Sequence, residues 1–154
     1  MKALSFTLVV MMVLAFSLSQ QQLVAEPQSN TAIQYQVQPI GWVRKSNGTT
    51  TLEINKEYQD ALLGVDELKS IWVLWWFDRN DNPQQRSILQ VHPFGDPVNP
   101  LKGVFATRAP VRPNLIALTR CNILSVKGNI VEIDHIDAFA DTPILDIKRY
   151  VSGY

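Results

Sequence analysis

The chain has 154 residues, 46% of them hydrophobic, which suits a single domain with a closed core. Its 14 lysines and arginines balance 14 aspartates and glutamates, so it has no excess of positive charge for wrapping nucleic acid by electrostatics alone. The one cysteine, Cys121, excludes an internal disulfide, and the fold must be stable from packing.

Met1-Lys2 makes a short positive start, and residues 3–18 are apolar apart from Ser5, Thr7 and Ser17. The polar stretch "SQQQLVAEPQSN" follows. This layout predicts a secretory signal over 1–25, cut after Ser19 or Ala25 or kept as an anchor, because the run is short for a stable membrane span. The expected location is therefore periplasmic or secreted, and cytoplasmic only if translation starts elsewhere. Cleavage after Ala25 removes Lys2 alone and leaves 13 basic against 14 acidic residues, a net charge near −1. Residues 26–36 read as a polar, flexible lead-in, and 37–154 as the domain.

"QVQPIGWVR" (36–44) predicts a first strand, with Pro39 at an edge or bend. "NGT" (47–49) is a turn signal, and "TTLEI" returns as a strand with Leu52 and Ile54 on one face. Residues 58–63 suit one short helical piece ended by Gly64. "IWVLWWF" (71–77) is a continuous apolar run of strand length, expected to be buried on both faces. "DRNDNPQQ" is a polar turn region and "SILQV" a further strand. "GVFAT" (103–107) also looks strand-like.

From Ile116 a long alternation begins: Ile116, Leu118, Arg120, Asn122, Leu124 and Val126 against Ala117, Thr119, Cys121, Ile123 and Ser125. "KGN" (127–129) predicts a tight hairpin turn, and "IVEIDHID" the returning strand. "PILDIKRYV" is extended and alternating. Many short strands with almost no helical period predict a mainly β domain, a barrel or a sandwich, with one or two short helices. Cys121, inside an alternating apolar run, is expected to be a small buried core residue.

Charge is segregated late in the chain. Lys102, Arg108, Arg112, Arg120 and Lys127 form a basic block, and Glu132, Asp134, Asp137, Asp141 and Asp146 an acidic one. The hairpin would set them side by side, as cross-strand ion pairs or as the two sides of a site. In "GVFATRAPVRPNLIALTR" the prolines bias Ala109 and Arg112 to extended backbone, which preorganises the guanidinium forks of Arg108 and Arg112. His92 and His135 have no cysteine or carboxylate at ligand spacing, so no metal is expected. No glycine-rich phosphate loop or Ser/His/Asp signature is visible. His135, between Asp134 and Asp137, reads as a half-buried strand residue or a pocket residue. Of the cluster Trp72, Trp75, Trp76 and Phe77, most belongs in the core, with an exposed ring able to stack on a base.

"GVFATRAPVRPNLIALTR" followed by "IDAFADTPILDIKRYV" resembles the TsaA-like family, also called TrmO. The family pattern is close to GVFATR-S-x-x-RPNPIG followed by D-x-x-D-G-T-P-x-L-D-I-K-P-Y. "IGWVR" and "IWVLWWF" match it in place and type. The resemblance, over roughly 39–151, implies a small single-domain β-barrel that is usually a homodimer. It implies S-adenosyl-L-methionine as cofactor and methyl transfer to N6 of a threonylcarbamoyladenosine in tRNA. Carried over by motif, cofactor contacts fall on Arg108, Leu118, His135, Ile136, Asp137 and Ala138. Asp78 and Arg79 follow the aromatic strand where the family commonly has histidine and a polar residue. Arg112, Pro113 and Asn114 form the supporting loop.

The chain departs from the pattern in places. The family's P-R-Q stretch has no counterpart in "KSNGTTTLEIN", Asn-Pro-Ile-Gly is Asn114-Leu115-Ile116-Ala117, and Asp-Gly-Thr-Pro is Ala140-Asp141-Thr142-Pro143. With the predicted signal, these departures define the alternative expectation: an exported, non-catalytic binding module on the same barrel.

Overall fold

Asn47 and Gly48 both take positive φ, 49° and 79°, a two-residue turn whose twist matches that of the strands it joins. It connects β1 (Gly41–Ser46) to β2 (Thr49–Ile54). Gly41 is required by crowding: a Cβ there would collide with the carbonyl oxygen of Glu53 on β2. The computed structural model describes residues 33–151; the predicted signal over 1–25 and most of the lead-in over 26–36 lie outside them.

Six antiparallel strands close a barrel in the order β1, β2, β7, β6, β3, β8. The others are β3 (Ser70–Trp76), β6 (Ile116–Lys127), β7 (Ile130–Ile133) and β8 (Pro143–Arg149). Closure leaves the barrel with no free sheet edge and decides the choice between barrel and sandwich. Between β3 and β6 the chain leaves the barrel. It forms α1 (Pro83–Arg86) and a small two-stranded sheet of β4 (Gln90–Val91) and β5 (Lys102–Gly103).

The interior is filled by alternate residues of the six strands, among them Val43, Leu52, Ile71, Val73, Trp75, Cys121, Val131 and Ile144. β6 follows its expected alternation through Ala117, Thr119 and Cys121, which are buried. A register shift between Ile123 and Ser125 then lets Val126 pack inward, because one extra residue exchanges the faces of a strand. The hairpin turn at Gly128 (φ 60°) is where the sequence places it.

Several expectations need correction. β3 is not buried on both faces: Ile71, Val73 and Trp75 point inward, while Trp72, Leu74 and Trp76 are half-exposed on the outside. "SILQV" pairs only through Gln90 and Val91. "GVFAT" is not a strand; after β5 it turns through a 3-10 segment, Val104–Ala106, held by Thr107. The first strand starts at Gly41 rather than before Pro39. β7 stops at Ile133, short of His135 and Asp137, because the Asp134 carboxylate takes the backbone N–H of Asn122 and of His135. The helical piece before Gly64 is a 3-10 segment, Lys56–Leu62, and Gly64 itself has φ 80°.

The two charge blocks do not pair. Among the described residues, none of Lys102, Arg108, Arg112, Arg120 and Lys127 forms an ion pair. Glu132 instead accepts from the Ser125 hydroxyl at 2.9 Å, and the Asp134 carboxylate from the Asn122 amide at 2.8 Å.

Candidate functional site

At the end of the barrel where β3 finishes and β6 begins lies a cleft of about 310 Å³. This is at the lower end of the range for small-molecule clefts, roughly 300–1,000 Å³. Its wall is aromatic, from Trp72, Trp75 and Phe77, and continues in Ile116–Thr119 of β6. Three charged side chains reach it: Arg108, Arg112 and Asp137. The basic loop and the acidic segment after β7 therefore do meet, across a cleft rather than as an ion pair.

Each of these side chains is placed by local structure. Trp75 is fixed by its indole N–H donating to the buried Thr119 hydroxyl at 3.0 Å and by an edge-on contact with Phe77 at 4.7 Å. The Arg108 guanidinium donates to the carbonyl of Leu118, so two of the residues expected at one site are joined directly. Leu118 is 42% exposed on the outer face of β6, offering its side chain and backbone to the cleft. Arg112 curls back to the carbonyl of its own loop at Ala109 (3.4 Å), leaving most of its fork free.

The loop carrying Arg112, Pro113 and Asn114 is tied down from outside. Arg86 of α1 donates to the Pro113 carbonyl at 2.9 Å and to Asp81 at 2.8 Å, beside the Trp76 ring. Its guanidinium, with the Trp76 indole N–H, holds the Asp81 carboxyl below the ordinary carboxylate range. The Asn114 carbonyl accepts from Ile116 at 2.8 Å, at the start of β6. Arg86 is absent from the sequence-based site. The capping pattern of Asn82 before Pro83, with Gln85 N–H on the Asn82 side chain, marks its helix but not its target.

The remaining expected residues stand apart from the cleft. Ile136 and Ala138 are buried in the core, and the Ile136 carbonyl accepts from Lys45 at 3.1 Å. His135 is 69% exposed, with Nδ1 3.1 Å from Asp134. Asp78 and Arg79 act at one remove: Asp78 accepts from the Thr142 hydroxyl at 3.4 Å, and the Arg79 guanidinium lies 3.8 Å over the Phe139 ring. Both contacts fasten the loop that carries Asp137 to the end of β3. On the other side of that loop, Arg44 binds Glu53 and Asp141. β1 and β2 join through two residues only, so the chain has no insertion there to supply a counterpart of the family's P-R-Q stretch. The sequence reading named the cleft's charges but not its aromatic wall, which it assigned mainly to the core; Trp75 and Phe77 serve both.

A closed antiparallel barrel with a basic, aromatic cleft at one strand end defines a small-ligand-binding barrel. The chain belongs to the family of the tRNA-methyltransferase O N-terminal domain, whose model matches residues 31–154. Among relatives, it is 48% identical over 116 residues to a probable S-adenosyl-L-methionine-binding protein of Methanocaldococcus jannaschii, covering 75% of this chain and 92% of that one. A mouse tRNA (adenine(37)-N6)-methyltransferase is 34% identical over 71% of this chain, which spans only 26% of the mouse protein. A crystal structure of TrmO from Pseudomonas aeruginosa superposes with a TM-score of 0.59 at 26% identity, over 77% of this chain and 57% of that one. A further TrmO crystal structure gives 0.59 at 28% identity, over 77% of this chain and 58% of that one.

Proposed function

We propose that this chain binds S-adenosyl-L-methionine in the cleft and transfers its methyl group to an adenine base of tRNA. The observation that carries the proposal is the meeting of Arg108, Arg112 and Asp137 against one aromatic wall. The ligand's chemistry fits those residues. Its carboxylate suits a guanidinium fork, its ribose diol suits the Asp137 carboxylate, and its adenine and sulfonium suit the faces of Trp72 and Phe77. When bound, the cofactor supplies a methyl group already activated by the sulfonium. The protein's task is then positioning: Arg108 and Arg112 hold the anionic end, Asp137 the sugar, and the aromatic wall excludes water while an acceptor nitrogen is aligned. No nucleophilic side chain is needed for that task.

The tRNA acceptor is carried over from the longer mammalian tRNA (adenine(37)-N6)-methyltransferases, which this chain covers only in part. The homodimer expected for the family belongs to the same proposal. It is supported by the exposed apolar residues of the excursion between β3 and β6, Phe94 (100% exposed, φ 60°), Val98, Leu101 and Phe105. We further propose export through residues 1–25. That segment favours the second reading, a binding module that keeps the cofactor cleft and has lost transfer.

Incubation of the full chain with S-adenosyl-L-methionine tritiated in its methyl group and tRNA carrying threonylcarbamoyladenosine tests the proposal. Label in adenine N6 is expected. Binding of the cofactor without label in any tRNA would remove the acceptor assignment and leave the binding module.

A further inference from the structure

A second cavity, of about 210 Å³, opens at the other end of the barrel, where β1 and β3 begin and β2 and β8 end; it shares no lining residue with the cleft. Buried Ile54, Leu62 and Ile71 line it together with Ile40, Val65, Leu68 and Ile147. Leu62 belongs to the 3-10 segment that covers this end, and Gly64 turns the chain so that Val65 and Leu68 face the same space. The volume equals that of about seven liquid water molecules at about 30 Å³ each, yet the lining offers those waters few partners. A site of that kind favours an apolar body.

Polarity is confined to the mouth, which holds Tyr58, Asp146 and Arg149. The Asp146 carboxylate is already engaged, by Lys148 Nζ at 2.7 Å and by the backbone N–H of Ile147 at 2.9 Å. Arg149, the cross-strand neighbour of Ile71, has no hydrogen-bond or ion-pair partner among the described residues. The acids of the covering segments, Glu57, Asp60, Asp66 and Glu67, do not line the cavity. An aspartate already ion-paired to Lys148, beside an arginine side chain without a partner among the described residues, suits an anionic head.

We infer that this end of the barrel is a binding site for a medium-chain carboxylate, its hydrocarbon in the cavity and its head on Arg149. Calorimetric titration of the full chain with butanoate, hexanoate and octanoate tests this. Affinity is expected to rise about fourfold for each methylene buried, and Arg149→Gln to weaken octanoate roughly tenfold or more. Ala61→Trp, at an exposed position of the lining, should block the mouth and abolish binding while the barrel still folds. Neither variant should change affinity for S-adenosyl-L-methionine, so this test is independent of the proposed function. The inference is overturned if wild type shows no saturable binding at millimolar octanoate. Octylammonium binding as tightly as octanoate, or octanoate affinity unchanged in Arg149→Gln, would overturn it equally.

Discussion

Asp141 stands at φ 64° in the position where the family pattern carries glycine. A left-handed conformation costs an ordinary side chain about 1–2 kcal/mol, and aspartate less than most. Here the aspartate also gains a partner, because Arg44 binds it while its N–H donates to the Val43 carbonyl at 2.7 Å. Asp141→Gly should therefore leave stability within about 0.5 kcal/mol of wild type. Asp141→Ala should lose about 1–2 kcal/mol in urea unfolding, having neither the freedom nor the partner. Equal stability of the two variants would show that the backbone there is not strained. Cys121 gives a second check. Burial, with a smaller effect of the Asp134 carboxylate, pushes its thiol up to about 12. Iodoacetamide at pH 8 should leave the native chain unmodified and label it only on unfolding, since the thiolate is the reactive form.

The end of β7 is set by one carboxylate. Burial alone would raise the pKa of Asp134, but the backbone N–H groups of Asn122 and His135, with their side chains, outweigh it and hold the carboxyl below its usual 3.8. A lowered native value means that the stability contributed is complete above the ordinary range and is lost as pH falls through the lower native one. The difference in stability between wild type and Asp134→Ala should thus be largest near neutrality and shrink below about pH 4. A difference constant down to pH 2 would contradict the assignment. The same carboxylate explains where the sequence reading of this element fell short. Hydrophobic alternation marks β2, β6, β8 and the hairpin at Gly128 well, because a period of two and a positive-φ glycine are local signals. It overran β7 because a side chain competing for ladder hydrogen bonds leaves no trace in the period. It overran "GVFAT" and "SILQV" because those segments lie outside the barrel, where pairing extends over two residues only.

In the molecule as a whole, the charged cleft and the apolar cavity lie at opposite ends of the barrel and share no lining residue. With 14 basic residues balanced by 14 acidic ones, and with a single basic segment around the cleft, capture of RNA should be transient. No gel shift with bulk tRNA is expected at about 150 mM salt, and a stable sub-micromolar complex would contradict that. Of the site, the charged members Arg108, Arg112 and Asp137 were legible, because prolines and charge segregation mark them. The spatial partners were not: that Arg86 secures the Pro113 carbonyl, or that Trp75 reaches Thr119, depends on barrel closure between β3 and β6. His135 shows the reverse, a residue that the family motif places at the cofactor but whose side chain is exposed beside Asp134.

The cleft beside the start of β6 is proposed to hold S-adenosyl-L-methionine through Arg108. Titration calorimetry of the full chain and of Arg108→Ala, each checked by thermal melting, tests it most directly. A charge-assisted contact contributes about 1.5–3 kcal/mol, so wild type should bind near the micromolar range and the variant roughly tenfold to a hundredfold more weakly. Melting should fall only slightly, since Arg108 fills no core volume and gives up one exposed bond to Leu118. Equal affinity in a folded Arg108→Ala, or no heat from wild type at millimolar cofactor, would contradict the account.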